Sequence, residues 1–340
     1  MRVAVSACVA LLVCACNDVT SPKSASPSAT AATPTPISAA GAQKIPLAQR
    51  IRTVTQAGRV GIPIVAFGSV WAKTGPGDVV RIDETTGKLE QTYPTDRPAP
   101  VPGCEGMGAT ENALWVCRRP GTYIRLTPQG RISHQVSFDG YHDQLRIPAM
   151  AGRLWLLGED RTALHTLDAA TGKEVGAPIE MPVPGCDNVA VGLDAVWVAC
   201  HLLGLVKVDP VSRSISGTVS WPGGSYVAVD THLLIGGYRG VAEVDPHSLT
   251  VRSAFDLRPD YKGDLTTSGN QAWVATSGAT PLTQLDLNGQ TVAAVLTTPD
   301  PFDFVGVTLA HGTLWVSDSN DRANRHRMLS VSTTATSTSP

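Results

Sequence analysis

The fold class predicted by the sequence is all-β: a closed ring of seven four-stranded antiparallel sheets, a seven-bladed β-propeller. Three observations predict it. A small apolar segment centred on Trp recurs at intervals of about 40 residues, the length of one four-stranded blade. A second short apolar strand, most often ending in Asp, follows each copy. The remaining segments are short, rich in Val, Leu and Ile, and bounded by Gly, Pro, Asp or Asn.

The Trp segments are Val70-Trp71-Ala72, Leu114-Trp115-Val116, Leu154-Trp155-Leu156, Val196-Trp197-Val198, Ala272-Trp273-Val274 and Leu314-Trp315-Val316. A seventh copy, Leu233-Leu234-Ile235, has Leu where the others have Trp. The second marker reads Arg81-Ile82-Asp83, Arg125-Leu126-Thr127, Thr166-Leu167-Asp168, Lys207-Val208-Asp209, Glu243-Val244-Asp245 and Gln284-Leu285-Asp286, with a degraded last copy, Ser330-Val331-Ser332. Two copies run into Thr-Gly-Lys turns, at Gly87 and Gly172. There Asp bonds its own downstream backbone and Gly supplies the positive φ.

The fourth unit shows all the strands: 188–191, 195–199, 204–208 and 214–219. Its second strand is apolar on both sides of Trp197, which fits a sheet covered on both faces by neighbouring blades. The Trp rings are read as wedges between blades, each ring N–H needing an acceptor there. The last unit lacks a fourth strand of its own. Residues 49–55 resemble the outer strands elsewhere and are expected to complete it, closing the ring and tying both ends of the chain into one sheet.

The shared Leu-Trp-Val strand, Ile-Asp strand and Thr-Gly-Lys turn resemble the YVTN-type propellers and the streptogramin (virginiamycin B) lyase-like proteins, over residues 48–335. The resemblance implies architecture and carries no catalytic residues across. The lyases' Pro-His-Gly type motif is replaced here by Pro-Gly-Cys, Gly-Gly-Ser and Lys-Gly-Asp.

Ahead of the repeats, Arg2 precedes an apolar run from Val3 to Val13, too short to span a bilayer and suited to a secretion signal. Val13-Cys14-Ala15-Cys16 resembles the bacterial lipobox, which implies lipidation (palmitate) at Cys16. The expected organisation is a signal peptide over 1–16, a disordered Ser/Pro/Thr/Ala-rich linker over 17–46, the propeller over 47–333 and a flexible tail over 334–340. A formal net charge of -2 gives no footprint for nucleic acid.

Two identical segments ending in Cys104 and Cys186 open units 2 and 4, and each is followed by a Cys just after the unit's Trp. An exported chain keeps disulfides, so the pairs 104–117 and 186–200 are expected. Cys117 lies two residues after its Trp and Cys200 three after, so one pair is expected to be diagonal or to carry a bulge.

Propellers usually bind ligands at the mouth of the central channel, among the loops that enter each blade and those joining its second and third strands. Those loops supply a candidate rim of Arg118, Arg119, His142, Asp143, His201, Tyr226, Tyr238, Arg239 and Tyr261. Glu105, Asn188, Asp264 and Asp303 stand at strand starts in units 2, 4, 6 and 7, a possible oxygen set for Ca or Mg. The stretch Arg322–Arg327 reads as a mobile basic loop or an anion contact. No phosphate loop, triad order or Cys nucleophile stands out, so no catalytic residue and no cofactor is assigned. The expected function is a monomeric binding or scaffold module for a protein, peptide or glycan, held to a membrane by its lipid at the cell surface or in the periplasm. The alternative is a metal-assisted lyase or lactonase-type hydrolase working in the channel.

Overall fold

Strands that are apolar on both faces need a cover on each side, and in this protein each sheet is the cover of the next. The computed structural model describes residues 34–75, 77–95, 106–119, 121–138, 146–238, 240–257 and 263–334. These residues form seven blades of four antiparallel strands arranged as a propeller. The innermost strands of blades 1 to 7 are Ile64–Ala66, Met107–Ala109, Ala149–Met150, Cys186–Gly192, Gly224–Val229, Asp264–Ser268 and Phe304–Ala310. The second strands, which carry the Trp or its Leu substitute, are Ser69–Lys73, Leu114–Arg119, Arg153–Leu157, Ala195–Cys200, Leu233–Gly237, Gln271–Ala275 and Thr313–Asn320. Blade 4 continues through Gly204–Asp209 to an outer strand, Ser214–Ser220, close to the boundaries its sequence pattern predicts.

The six repeat Trp side chains are fully buried. Each leans on the following blade: Trp71 packs with Leu114 and Val116, Trp115 with Leu154 and Leu156, and Trp155 with Val196 and Val198. Trp197 packs with Leu233 and Ile235, and Trp273 with Leu314 and Val316. Trp315 meets Val70 and Ala72 of blade 1, so the last wedge closes the ring. Truncating any one of these rings to Ala would cost about 3–5 kcal/mol. The indoles of Trp71, Trp115, Trp155 and Trp197 donate to the carbonyls of Ala66, Ala169, Met150 and Gly192. Those of Trp273 and Trp315 have no partner among the described residues, so the expected acceptor is not universal.

The Asp-led turns lock successive blades together. Asp168 Oδ1 accepts from the Ala170 and Thr171 amides and the Thr171 hydroxyl. Gly172 follows at φ 70°, and a Cβ there would meet Trp115 of the preceding blade at 2.7 Å. The turn of blade 1 is built alike on Asp83. A Cβ on its Gly87 would strike Thr53 Oγ1 at 2.3 Å, so this turn lies directly on the strand that closes the ring.

That strand is Ile51–Thr55. It pairs antiparallel with Arg325–Ser332 and supplies the outer strand of blade 7, as its sequence predicts. The folded unit nevertheless begins before residue 47. Ile37–Ser38 adds a parallel strand to the outer edge of blade 5, and Gln43–Pro46 does the same on blade 6. Composition alone hides this arm, because Ile37, Ala39 and Ala42 find their apolar partners only in the groove between those blades. The expected signal peptide, residues 17–33 of the expected linker and residues 335–340 of the expected tail lie outside the described residues.

Candidate binding face

Loops that enter the blades and loops joining second to third strands meet on one face of the ring. On blades 4 and 5 they are tied into a single backbone network. Cys186 and Cys200 form a disulfide at the first cross-strand position of blade 4. The register shifts between Cys186 and Asn188, and this bulge absorbs the extra residue that separates Cys200 from its Trp. Immediately beyond, the His201 amide donates to the Gly185 carbonyl at 3.0 Å, and the His201 carbonyl accepts from Gly223 at 2.7 Å. The Gly223 carbonyl in turn accepts from the Tyr238 amide at 3.2 Å. Gly237 permits this closeness, since a Cβ there would lie 1.9 Å from the Gly223 oxygen. Cys117 is also disulfide-bonded, and Cys104, its expected partner, lies outside the described residues.

On this fixed backbone the His201 and Tyr238 rings meet edge to face, with centroids 5.5 Å apart. Tyr238 is 55% exposed, and Leu202, next to His201 in the chain, is 62% exposed. Exposed apolar and aromatic groups on a backbone held by a disulfide and hydrogen bonds make a preorganised contact surface.

The other expected rim residues divide. Tyr226 is buried in the cluster between blades 5 and 6. Arg118 turns outward to Gln135 on the outer strand of its own blade, and Arg119 Nε donates to Thr122. His142, Asp143, Arg239 and Tyr261 lie outside the described residues, as does Cys16.

Of the oxygen set considered for a cation, Asn188 is buried, Asp303 is half-buried and Glu105 lies outside the described residues. Asp264 is only 2% exposed, and both its oxygens are engaged. Arg146 Nη1 and Nη2 donate to them at 2.7 and 2.8 Å, and the Val307 amide adds a third bond at 2.8 Å. A cation at Asp264 would have to displace this guanidinium. Among the described residues, no three His, Cys, Asp or Glu side chains converge as metal ligands. Sequence reasoning passed over Arg146; the signal was a lone charge at the start of an apolar inner strand, before Ile147-Pro148-Ala149.

The basic stretch is an ordered hairpin of blade 7, turning through residues 321–324. Arg325 and Arg327 both donate to the fully buried Asp318 at 2.7 Å. The bond to Asp318 raises the pKa of the Arg325 guanidinium. Both guanidiniums also stand over the Phe302 ring. Their charge is committed inside the hairpin.

Solved structures share the architecture. The β-propeller domain of Myceliophteria thermophila Cps50 (Swd1) superposes with a TM-score of 0.67 at 13% identity, over 84% of this chain and 99% of that one. The WD40 domain of Neurospora crassa Pan2 gives 0.64 at 11% identity, over 82% and 90%. BamB from Moraxella catarrhalis gives 0.53 at 16% identity, over 81% and 84%. No family model and no curated protein sequence matches the chain. At such identities the likeness establishes the ring of blades and nothing finer.

Proposed function

We propose that this chain is an exported, lipid-anchored envelope protein whose propeller is a binding module for a protein, peptide or glycan, engaged through the loop face of blades 4 and 5. One observation carries the reading: Tyr238 and Leu202 are held out to solvent on loops that the Cys186–Cys200 disulfide and the His201 backbone bonds make rigid. Aromatic and aliphatic groups presented without an ordering cost are what recognition surfaces use. The Cys16 anchor would leave this face to work beside a membrane, with residues 17–33 as the tether.

The test has two arms. The native chain and a Leu202→Asp, Tyr238→Ala variant of equal melting temperature are used as bait on envelope extracts with crosslinking. Partners recovered by the native chain and lost by the variant support the reading; equal recovery defeats it. Labelled palmitate should enter the native precursor and be absent from Cys16→Ser. Labelling of both would refute the anchor and leave the face standing.

A further inference from the structure

The centre of the ring holds a cavity of about 330 Å³, open to solvent, that no part of the proposed binding face uses. All seven inner strands reach it, and its wall is aliphatic: Ile64, Val65, Met107, Val191, Val227 and Leu265 are representative. The lining residues fall in the later part of several inner strands, Val189 to Val191 of Cys186–Gly192 and Val227 to Val229 of Gly224–Val229. This places the cavity toward the hairpins joining first and second strands, away from His201 and Tyr238.

Its polar side chains are few. Thr267 donates to the Gln271 carbonyl, Thr308 donates to the Pro63 carbonyl, and Thr266 accepts from the Leu309 amide. Arg146 is different. Its guanidinium gives two hydrogens to Asp264 and one to the Val307 carbonyl, out of five. The Nε–H and one Nη1–H have no partner among the described residues, and the side chain lines the cavity.

These features select a ligand class. The volume falls at the small end of the range for ligand sites. Covering the aliphatic side chains of the wall with an apolar body releases water from both, the main driving force on offer here. Asp264 neutralises Arg146, so an anion gains little net attraction and a cation meets no available carboxylate oxygen. We propose that the cavity binds a small uncharged molecule with an apolar body and one hydrogen-bond acceptor, such as a ketone, ester or ether oxygen, that takes one of the two unused Arg146 hydrogens.

Prodan, a neutral naphthalene ketone whose emission moves to the blue in apolar surroundings, is the probe. Titrated with the native chain, it should give a saturable blue shift. Ala190→Phe, which fills the chamber, should abolish the shift, and Tyr238→Ala should leave it intact. Absence of saturable binding to the native chain overturns the proposal, and so does an undiminished shift with folded Ala190→Phe. Should the filling variant fold poorly, crystals of the native chain grown with the probe decide the matter. Density beside Arg146 within the ring supports the site; density on the outer surface alone overturns it. Loss of the shift in Tyr238→Ala instead would assign the probe to the loop face and also overturn it.

Discussion

Arg146 and Asp264 clasp one another across the middle of the ring, two nitrogens to two oxygens, at 2.7 and 2.8 Å. Arg146 belongs to blade 3 and Asp264 to blade 6, and the Arg146 Nη2–H also reaches the Val307 carbonyl of blade 7 at 2.6 Å. Few contacts in the fold join blades that are not neighbours in the ring, and this one does so in a largely buried setting.

Removing one partner should therefore cost more than the pair itself contributes. Arg146→Ala would leave a buried carboxylate without its cation, a loss of about 3–5 kcal/mol. The double substitution Arg146→Met, Asp264→Leu should restore most of it. Urea unfolding of the three proteins checks this. A single variant as stable as the native chain would show that the clasp is not holding the ring.

The blade count, the strand boundaries in blade 4 and the closing strand were all legible because they rest on local chemistry. A Trp wedge, an Asp-led turn and a run of Val need no distant information. The arm at residues 37–46 was not legible: Ser, Ala and Gly around Ile37 carry too little apolar area to announce a strand. They become ordered only against Phe255 and the groove of blades 5 and 6. The candidate site was legible in part. The loop assignment located His201 and Tyr238, but Tyr226 alternates inward, and Arg146 drew no notice because its partner Asp264 lies 118 residues away in sequence.

The two parts of the N-terminal segment should differ in weight. Residues 47–57 contain the buried Leu47 and Arg50 and the closing strand, so their deletion opens the ring and should abolish cooperative unfolding. Deleting 34–46 removes only two short parallel edge strands and should lower the melting temperature modestly. Thermal melts of both deletions distinguish them; equal effects would contradict the division.

The Cys186–Cys200 bridge spans a sequence separation of 14. A loop of that size limits the unfolded chain by about 3 kcal/mol. Cys186→Ser with Cys200→Ser should lose roughly that much in denaturant titrations. Because the bridge lies next to His201, the double variant should also raise hydrogen exchange at the His201 and Tyr238 amides. Unchanged exchange would indicate that the hydrogen bonds alone fix this face.

Four turn aspartates should titrate low. A hydroxyl bond from Thr86 holds Asp83 below the usual carboxylate range, and one from Thr171 does so for Asp168. Amide bonds from Ser212 and Ser248 depress Asp209 and, furthest of the four, Asp245. A carboxyl whose folded pKa lies below its unfolded value of about 3.9 stabilises the fold above that pH, and the contribution disappears as pH falls through the folded value. Carboxyl carbon shifts followed by NMR from neutral pH downward should place all four below a reference Asp, with Asp245 lowest. Ordinary values would mean that the turns do not prefer the ionised form.

Leu234 is where the Trp series breaks, and restoring the consensus should harm the protein. Leu234 lies in the buried apolar cluster that contains Tyr226, Phe255 and Leu265, with Ile37 of the arm packed against it. Leu234 is fully buried, so the added ring has nowhere to go without displacing one of them. Leu234→Trp should destabilise by about 1–3 kcal/mol through overpacking. If the arm yields first, deleting residues 34–46 should relieve part of the penalty, and the two changes will be non-additive in a double-mutant cycle. A stabilised Leu234→Trp protein would show that the gap between blades 5 and 6 is underfilled and that the arm is not its filler.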